Sequence, residues 1–206
     1  MADSDTACSG VILAGGLSKR FSGKNKAFLE IAGQRVIDHI FNIFRPIFDE
    51  ILIVTNEPTH YLEFDATIVT DVYSVRSSLT GVHAGLFYAR NPFVFVAACD
   101  IPFLRESLVR TVLQHIESNA GVVIPETRAG LEPMCAVYAK TCLPVMERHI
   151  QIEKLKIQRI FKSFRVKKVP EAALRQADPA LESFFNINTP DDLKKAQSQD
   201  HPAESE

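Results

Sequence analysis

The chain has 206 residues, a hydrophobic fraction of 46% and a charged fraction of 23%, which is the composition of an ordinary folded domain. Its net charge of -2 excludes the general basic excess of nucleic-acid or anionic-membrane binders, and its most apolar run, residues 93–99, is far shorter than the roughly 20 residues that span a bilayer. We therefore expect neither nucleic acid nor a membrane as a partner. The acidic start at residues 1–10 is no secretory signal, and the four cysteines lack C-x-x-C spacing, so we expect reduced thiols and a cytoplasmic protein.

Short apolar strands alternate with helices through the first part of the chain. Continuous apolar or β-branched runs predict the strands, and apolar residues at helical spacing predict the helices between them. The predicted strands are residues 9–14, 50–55, 66–70, 92–99 and 121–124. The predicted helices are residues 35–44, 58–64, 81–90 and 106–117. This order is typical of a mostly parallel, Rossmann-like sheet with helices on both faces.

The second part of the chain is less regular. Thr189-Pro190-Asp191-Asp192 predicts the start of the last helix, with threonine as N-cap, proline in the first turn and acidic residues beside it. Because no linker divides the chain, we expect a single domain over residues 1–197 and a disordered tail at 198–206. The remaining predictions are a strand at 134–140, a largely helical stretch at 142–164 and an edge strand at 165–169.

A glycine pair followed by cations ends the first strand, in the stretch VILAGGLSKRFSGKNK at residues 11–26. It does not match the Walker A pattern or the G-x-G-x-x-G fingerprint. Glycines at a strand end nevertheless let backbone N–H groups approach anionic oxygens, and lysine and arginine neutralise them. A triphosphate is the favoured ligand, and a glycine turn with a solvated basic loop is the alternative. The residues concerned are Gly15, Gly16, Lys19, Arg20, Lys24 and Lys26.

Two aspartates follow predicted strands directly. Asp100 comes after the strand at 92–99, at the sheet edge where open α/β proteins bind ligands, and a hard carboxylate there suits Mg²⁺ shared with phosphate oxygens. Asp71 follows the strand at 66–70, where it could hold a base or a ribose hydroxyl. For both residues a simple turn aspartate is the alternative. In the segment FFNINTPDDL, Asn186 and Asn188 either place two amides at a cleft or tie down a turn.

The order of these motifs resembles that of the molybdenum cofactor guanylyltransferases. The segments are LAGGLSKRFSGKNKAFLEIAGQRVIDHI, IVTD, SSLTGVHAGL, CDIPF and FFNINTPDDL, and they cover residues 9–197 in order. The resemblance implies a three-layer α/β/α sandwich of the nucleotidyltransferase type. It also implies an enzyme that transfers GMP from GTP to molybdenum-loaded molybdopterin, releases pyrophosphate and uses Mg²⁺. Transient contact with accessory proteins and acceptor molybdoenzymes is expected on the same basis.

The resemblance also implies roles for individual residues. Backbone contacts to the nucleotide come from the segment between Leu13 and Gly16. The residues of that segment are Leu13, Ala14, Gly15 and Gly16. The other implied roles are phosphate binding for Arg20 and Lys26, guanosine binding for Asn56 and Asp71, Mg²⁺ binding for Asp100, and acceptor binding for Asn186 and Asn188.

Three positions depart from the family pattern. Asn25 replaces an aspartate before the lysine, Phe21-Ser22 replaces Met-Gly, and Arg76-Ser77-Ser78 replaces a glycine-proline turn. The first bears on the charge around Lys26 and the last on nucleotide preference. Two other functions therefore stay open at this point: a sister enzyme that uses CTP or a sugar or alcohol phosphate, and a nucleotide-binding module without turnover.

Overall fold

The structure is a computed structural model that describes residues 6–15 and 25–199. The strands in this part are β1 Cys8–Leu13, β2 Glu30–Ile31, β3 Gln34–Arg35, β4 Ile51–Val54, β5 Thr67–Val69, β6 Phe93–Ala98, β7 Val122–Thr127, β8 Gly130–Leu131, β9 Cys135–Ala139 and β10 Val166–Pro170. The α-helices are α1 Val36–Phe44, α2 Ser78–Tyr88, α3 Glu106–Leu113, α4 Leu143–Gln151, α5 Glu171–Ala177 and α6 Pro190–Gln199. Short 3₁₀-helices include Lys26–Phe28, Pro58–Tyr61 and Ile157–Ser163.

The central sheet has the strand order β10-β7-β9-β6-β1-β4-β5, with β8 paired to β7. β1 is parallel to both β4 and β6, β4 is parallel to β5, and β7 is parallel to β10. β9 runs antiparallel to β6 and β7. The predicted mostly parallel sheet is therefore confirmed, and β9 and the two-residue β8 are its antiparallel strands in the described part of the chain.

Helices cover both faces of the sheet, because the strands alternate apolar side chains between two cores. Ile12 of β1 belongs to the core that also contains residues of α1, α3, α5 and α6, whereas its neighbour Val11 belongs to the core that contains residues of α2 and α4. Both side chains are fully buried. This is the predicted three-layer arrangement.

Helix α2 lies unusually close to β1. A Cβ atom added to Gly85 would lie 2.6 Å from Val11 Cγ1, so only glycine fits this contact. The helix begins at a capping box in which Ser77 Oγ accepts from the Thr80 N–H, while the Ser77 N–H donates to Thr80 Oγ1. The glycine and the cap together fix the first turn of α2 above the carboxyl end of β1.

The order of the strands reverses at β1. From β1 the chain moves to β4 and then β5 on one side, and it returns to β6 on the other side. In an open α/β sheet such a reversal leaves a crevice at the carboxyl ends of the two strands, which is where ligands bind. Gly15 follows β1 and Asp100 follows β6, so both residues lie at this crevice.

The stretch at 142–164 is largely helical, as predicted, but a break divides it into two helices. α4 ends at Gln151, and Glu153 adopts a left-handed conformation with φ 54°, which an α-helix cannot continue through. Residues 157–163 then form a 3₁₀-helix. The predicted helix at 58–64 is also only a 3₁₀ turn, and neither the β2–β3 hairpin nor α5 was expected.

The remaining predicted elements are present with shifts of a few residues at their ends. Val166–Pro170 is an edge strand as expected, paired on one side with β7. The last helix begins as predicted, since Thr189 Oγ1 accepts from the Asp192 N–H and Asp192 Oδ2 accepts from the Thr189 N–H. α6 runs to Gln199, and residues 200–206 of the predicted tail lie outside the described residues.

Candidate active site

A cavity of about 390 Å³ lies at the crevice beside β1. It is formed where the segments that follow β1, β4, β5 and β6 meet the first turn of α2. Most of the residues expected from the sequence to bind nucleotide line it, namely Leu13, Ala14, Gly15, Lys26, Asn56, Asp71 and Asp100. One cavity thus collects side chains that are up to 87 positions apart in the chain, from Leu13 to Asp100.

The segment that follows β1 is held by backbone hydrogen bonds to both neighbouring strands. The Ala14 N–H donates to the Val54 carbonyl at 2.8 Å, and the Cys99 N–H donates to the Leu13 carbonyl at 3.0 Å. A Cβ atom at Gly15 would lie 3.4 Å from Asn56 Nδ2, so a longer side chain there would enter the cavity. The absence of a side chain at Gly15 therefore keeps the backbone open to the cavity.

Asn56 and Asp71 form one end of the cavity. The Asn56 amide nitrogen donates to Asp71 Oδ2 at 2.9 Å. The two residues follow β4 and β5, which are adjacent and parallel, and this explains how positions 15 residues apart meet. The pair places a carboxylate and an amide side by side at the cavity.

Asp100 forms the other end of the cavity. Its Oδ1 is buried and has no hydrogen-bond partner in the described part of the chain. Burial raises the pKa of Asp100 above its ordinary value, and the nearby Lys26 and the residue's own backbone N–H offset part of that effect. A buried carboxylate oxygen without a partner is the kind of group that a cation or a ligand hydrogen bond would satisfy.

Lys26 stands beside Asp100. Its Nζ lies 3.8 Å from Asp100 Oδ2 and donates to Asn188 Oδ1 at 3.3 Å. Lys26 is the first residue of a 3₁₀-helix, and its ammonium group lies beside Asp100, at the end of β6. The predicted phosphate-binding lysine and the predicted metal-binding aspartate are therefore together.

Asn186 and Asn188 differ in their surroundings. The Ile187 N–H between them donates to the Asp100 carbonyl at 2.8 Å, which places this segment against the end of β6. Asn188 is exposed and contacts Lys26, whereas the Asn186 amide donates to the Phe184 carbonyl at 2.8 Å. Asn186 ties down its own turn, one of the two alternatives that the sequence left open.

Tyr61 connects the two chain segments on either side of residues 16–24. Its hydroxyl accepts from Asn25 Nδ2 at 2.9 Å and donates to the Ala14 carbonyl at 3.2 Å. Asn25 also caps the 3₁₀-helix of Lys26, since its Oδ1 accepts from the Ala27 N–H. Tyr61 is fully buried, and burial raises the pKa of its hydroxyl, so the group stays a neutral donor and acceptor. Asparagine at position 25 thus supplies a donor that aspartate would lack.

Sequence reasoning missed several lining residues. Met134 precedes β9 and lines the cavity, and Arg76-Ser77-Ser78 line it at the start of α2, where the sequence showed only a departure from a family pattern. The one local signal was the pair of hydroxyl residues three positions apart, Ser77 and Thr80, which is typical of a helix N-terminus. Nothing in the sequence near Met134 indicates a site.

Part of the predicted phosphate loop lies outside the described residues. This part includes Gly16, Arg20 and the Phe21-Ser22 departure, together with Lys19 and Lys24. Among residues 6–15 and 25–199, no group of three or more His, Cys, Asp or Glu side chains is arranged to hold a metal ion. No helix in the same residues is long and apolar enough to cross a membrane.

Comparison with known proteins decides the family. Residues 10–169 match the family model described as the MobA-like NTP transferase domain. A molybdenum cofactor guanylyltransferase from Desulfosudis oleivorans is 43% identical over 192 residues, covering 93% of this chain and 95% of that protein. The chain belongs to the molybdenum cofactor guanylyltransferases.

Two further similarities agree with membership of this guanylyltransferase family. A probable molybdenum cofactor guanylyltransferase from Natranaerobius thermophilus is 36% identical, covering 92% of this chain and 94% of that protein. The crystal structure of molybdopterin-guanine dinucleotide biosynthesis protein A from Archaeoglobus fulgidus is 28% identical, with a TM-score of 0.79 over 93% of this chain and 97% of that chain. The predicted fold class and family are thereby confirmed, and as a member of this family the protein is a nucleotidyltransferase.

Proposed function

We propose that the protein transfers GMP from GTP to molybdenum-loaded molybdopterin and releases pyrophosphate. The observation that carries the proposal is the cavity in which Lys26 and Asp100 face the Asn56–Asp71 pair, in a chain 43% identical to a molybdenum cofactor guanylyltransferase. The comparisons do not favour the CTP-dependent sister enzyme or the module without turnover. The four cysteines are free, which fits a reducing cytoplasm.

The reaction needs no protein nucleophile, because the acceptor phosphate is already an anion. An acceptor phosphate oxygen forms a bond to the α-phosphorus of GTP, and the bond from that phosphorus to the bridging α–β oxygen breaks. Pyrophosphate leaves with the electron pair. The protein's contribution is to position the two substrates and to neutralise charge that develops on the departing oxygens.

Lys26 and Arg20 are the proposed cations for the triphosphate. Lys26 Nζ lies 3.8 Å from the carboxylate of Asp100, at the end of the cavity away from Asp71. An ammonium there neutralises β- and γ-phosphate oxygens as they become pyrophosphate. The proposed roles of Arg20 and of the Gly16 backbone rest on the sequence alone.

Asp100 is the proposed ligand for Mg²⁺. The buried, unpartnered Oδ1 fits this role, because Mg²⁺ in phosphoryl-transfer sites takes one or two carboxylates and completes its shell with phosphate oxygens and water. When bound, the ion supplies positive charge to the phosphate oxygens. Asp100 must be ionised to hold it, and Lys26 favours that ionised form.

Asn56 and Asp71 are proposed to hold the guanosine, and Leu13, Ala14 and Gly15 to contact it through the backbone. Guanine presents two adjacent N–H donor groups on its pairing edge, and a carboxylate accepts both. Cytosine presents an acceptor beside its single amino group, so Asp71 favours guanine. Asn188, beside Lys26, is the proposed contact to the acceptor, and Asn186, whose amide holds the Phe184 turn, would position that segment. The product would pass to acceptor molybdoenzymes through transient contacts.

A nucleotide panel tests the function. The full chain is incubated with Mg²⁺, molybdenum-loaded molybdopterin and GTP, CTP or ATP in turn, and both pyrophosphate and nucleotide-linked pterin are measured. We expect both products with GTP and almost none with CTP or ATP. Pyrophosphate and a linked product from CTP but not from GTP would contradict the guanylyl proposal, and GTP binding without either product would favour the module without turnover.

A further inference from the structure

A second groove adjoins the nucleotide cavity. It has a volume of about 790 Å³ and shares Ser78 and Met134 with the cavity. Met134 lies beside the end of β6, because its carbonyl accepts from the Ala98 N–H at 3.2 Å, two residues before Asp100. The groove therefore begins close to Asp100, the proposed ligand for Mg²⁺.

The outer wall of this groove is positively charged. Lys154, Lys156 and Arg159 line it, with Glu153 as the single acidic lining residue. The three basic residues belong to a stretch, residues 154–168, that contains seven of the 23 lysines and arginines and no acidic residue. In a chain with a net charge of -2, this is a marked local excess.

The cations of this stretch divide into two groups. Arg165 and Lys167 pair with Glu117, and Lys168 pairs with Glu126. By contrast, the groove residues Lys154, Lys156 and Arg159 are exposed. None of these three makes an ion pair or a side-chain hydrogen bond with any residue that the structure describes. Unpaired cations beside a concave site are the arrangement expected for binding an anionic ligand.

We propose that the groove lined by Lys154, Lys156 and Arg159 binds the molybdenum-bearing end of the acceptor, the end opposite to its attacking phosphate. This proposal rests on the proposed function, which makes molybdopterin the acceptor. The dithiolene sulfurs and the oxo ligands of molybdenum make that end of the molecule anionic, so its charge complements the groove.

The position of the groove supports this occupant. The acceptor phosphate must lie near Asp100 to reach the α-phosphorus, while the guanosine occupies the end of the cavity at Asn56 and Asp71. The remainder of the acceptor must then leave the cavity near Asp100, and the groove starts there through Met134. Its volume lies within the range of roughly 300–1,000 Å³ that is usual for small-molecule sites.

Charge reversal tests the groove. Lys156→Glu and Arg159→Glu should each raise the KM for molybdenum-loaded molybdopterin about tenfold, which is roughly 1.4 kcal/mol, and leave the KM for GTP unchanged. The effect should shrink at high salt, since exposed charges are screened. Lys162→Glu is the matched control, because Lys162 lies on the same 3₁₀-helix, is exposed and does not line the groove. Lys156→Arg and Arg159→Lys should keep a KM near that of the wild type.

Acceptor binding without nucleotide separates this proposal from the proposed function. Quenching of pterin fluorescence by the full chain measures it directly. Weaker binding to the two groove variants, with wild-type binding to Lys162→Glu, supports the groove even if no GMP is transferred. The groove proposal would be overturned by equal acceptor binding to all variants, by an equal loss of binding in Lys162→Glu, or by a rise in the KM for GTP alone. Pyrophosphate release by the wild type would still support the proposed function in each of these cases.

Discussion

The Tyr61 hydroxyl anchors the chain on both sides of residues 16–24, through Asn25 and the Ala14 carbonyl. Tyr61→Phe removes only this hydroxyl. We predict that the KM for GTP rises about three- to tenfold, equivalent to roughly 0.6–1.4 kcal/mol, because Ala14 and the helix of Lys26 lose their common anchor. The free energy of unfolding should fall by about 1 kcal/mol. Steady-state kinetics and urea unfolding measure the two effects.

Tyr138→Phe is the control for Tyr61→Phe. Tyr138 is also fully buried, and its hydroxyl donates to the Pro133 carbonyl at 2.8 Å. The control should show a similar loss of stability with an unchanged KM for GTP. If both variants changed the KM equally, Tyr61 would have only a general structural role.

Asp100→Asn should separate stability from activity. Because burial raises the pKa of Asp100, the folded protein binds this proton more tightly than the unfolded chain, and wild-type stability falls as the pH rises through the interval between the two pKa values. The variant lacks this loss. Without divalent cations at pH 7.5, we predict that it unfolds at higher urea concentration than the wild type, while turnover with Mg²⁺ falls about 10²–10³-fold.

A lower urea midpoint for Asp100→Asn at pH 7.5 would mean that the attraction of Lys26 outweighs the burial of the carboxylate. The same unfolding measured near pH 4 is the internal control. There a larger share of the wild-type carboxyl is protonated than at pH 7.5, so the two proteins should differ less in stability.

At the residue scale, the sequence indicated where Asp71 and Asp100 lie in the fold, but it did not indicate the contacts that hold the surrounding segments in place. Asp71 and Asp100 were predictable because each follows a buried strand, and parallel strands end at one edge of the sheet. The Asn25–Tyr61–Ala14 connection was not predictable, because it joins positions 47 residues apart through side-chain contacts that leave no local pattern. Asn25 appeared only as a departure from a family pattern.

At the element scale, the contact of α2 with β1 determines where the cavity lies. Gly85→Ala should lower the free energy of unfolding by about 1–3 kcal/mol, because the new Cβ atom would lie 2.6 Å from Val11 Cγ1. The gain in helix propensity from alanine, at most about 1 kcal/mol, does not offset this clash. Chemical unfolding measures the change.

Gly81→Ala is the matched control on the same helix. Its Cβ atom would lie 3.4 Å from Leu13 Cδ2, an ordinary contact, so its stability should equal or exceed that of the wild type. Equal destabilisation of both variants would show that the separation of α2 from β1 does not depend on Gly85.

Elements with continuous apolar runs were predictable, since β4, β6 and β9 are buried on both faces and need apolar residues throughout. The break inside the helical stretch at 142–164 was not predictable. The apolar residues of this stretch keep a helical spacing across Glu153, and the left-handed conformation that ends α4 there has no glycine or asparagine to signal it. That break in the helix shapes the groove beside the cavity.

At the scale of the whole molecule, the carboxyl ends and the amino ends of the central strands have different roles. The cavity lies at the carboxyl ends of the strands. At their amino ends, Glu50, which is 7% exposed, links neighbouring segments by hydrogen bonds. Its carboxylate accepts from the Ser9 hydroxyl of β1, and from the backbone N–H and the guanidinium of Arg90 before β6. Burial would raise the pKa of Glu50, but these hydrogen bonds outweigh it and lower the pKa.

Glu50→Gln should therefore destabilise the protein by about 1–3 kcal/mol at pH 7, because the amide cannot accept all of these hydrogen bonds. The lowered pKa means that this stabilisation is present above the unfolded pKa near 4.5 and is lost as the pH falls through the folded value. Urea unfolding of both proteins from pH 7 to pH 3 measures it. A stability difference that grew toward acid pH would contradict the assignment.

GTP labelled at the α-phosphorus tests the central claim most directly. With molybdenum-loaded molybdopterin and Mg²⁺, we predict that the label moves into the pterin product, that unlabelled pyrophosphate is released, and that Asp100→Asn and Lys26→Ala transfer almost none. Label that stays in GDP while inorganic phosphate is released, or transfer that survives in both variants, would contradict guanylyl transfer at this cavity.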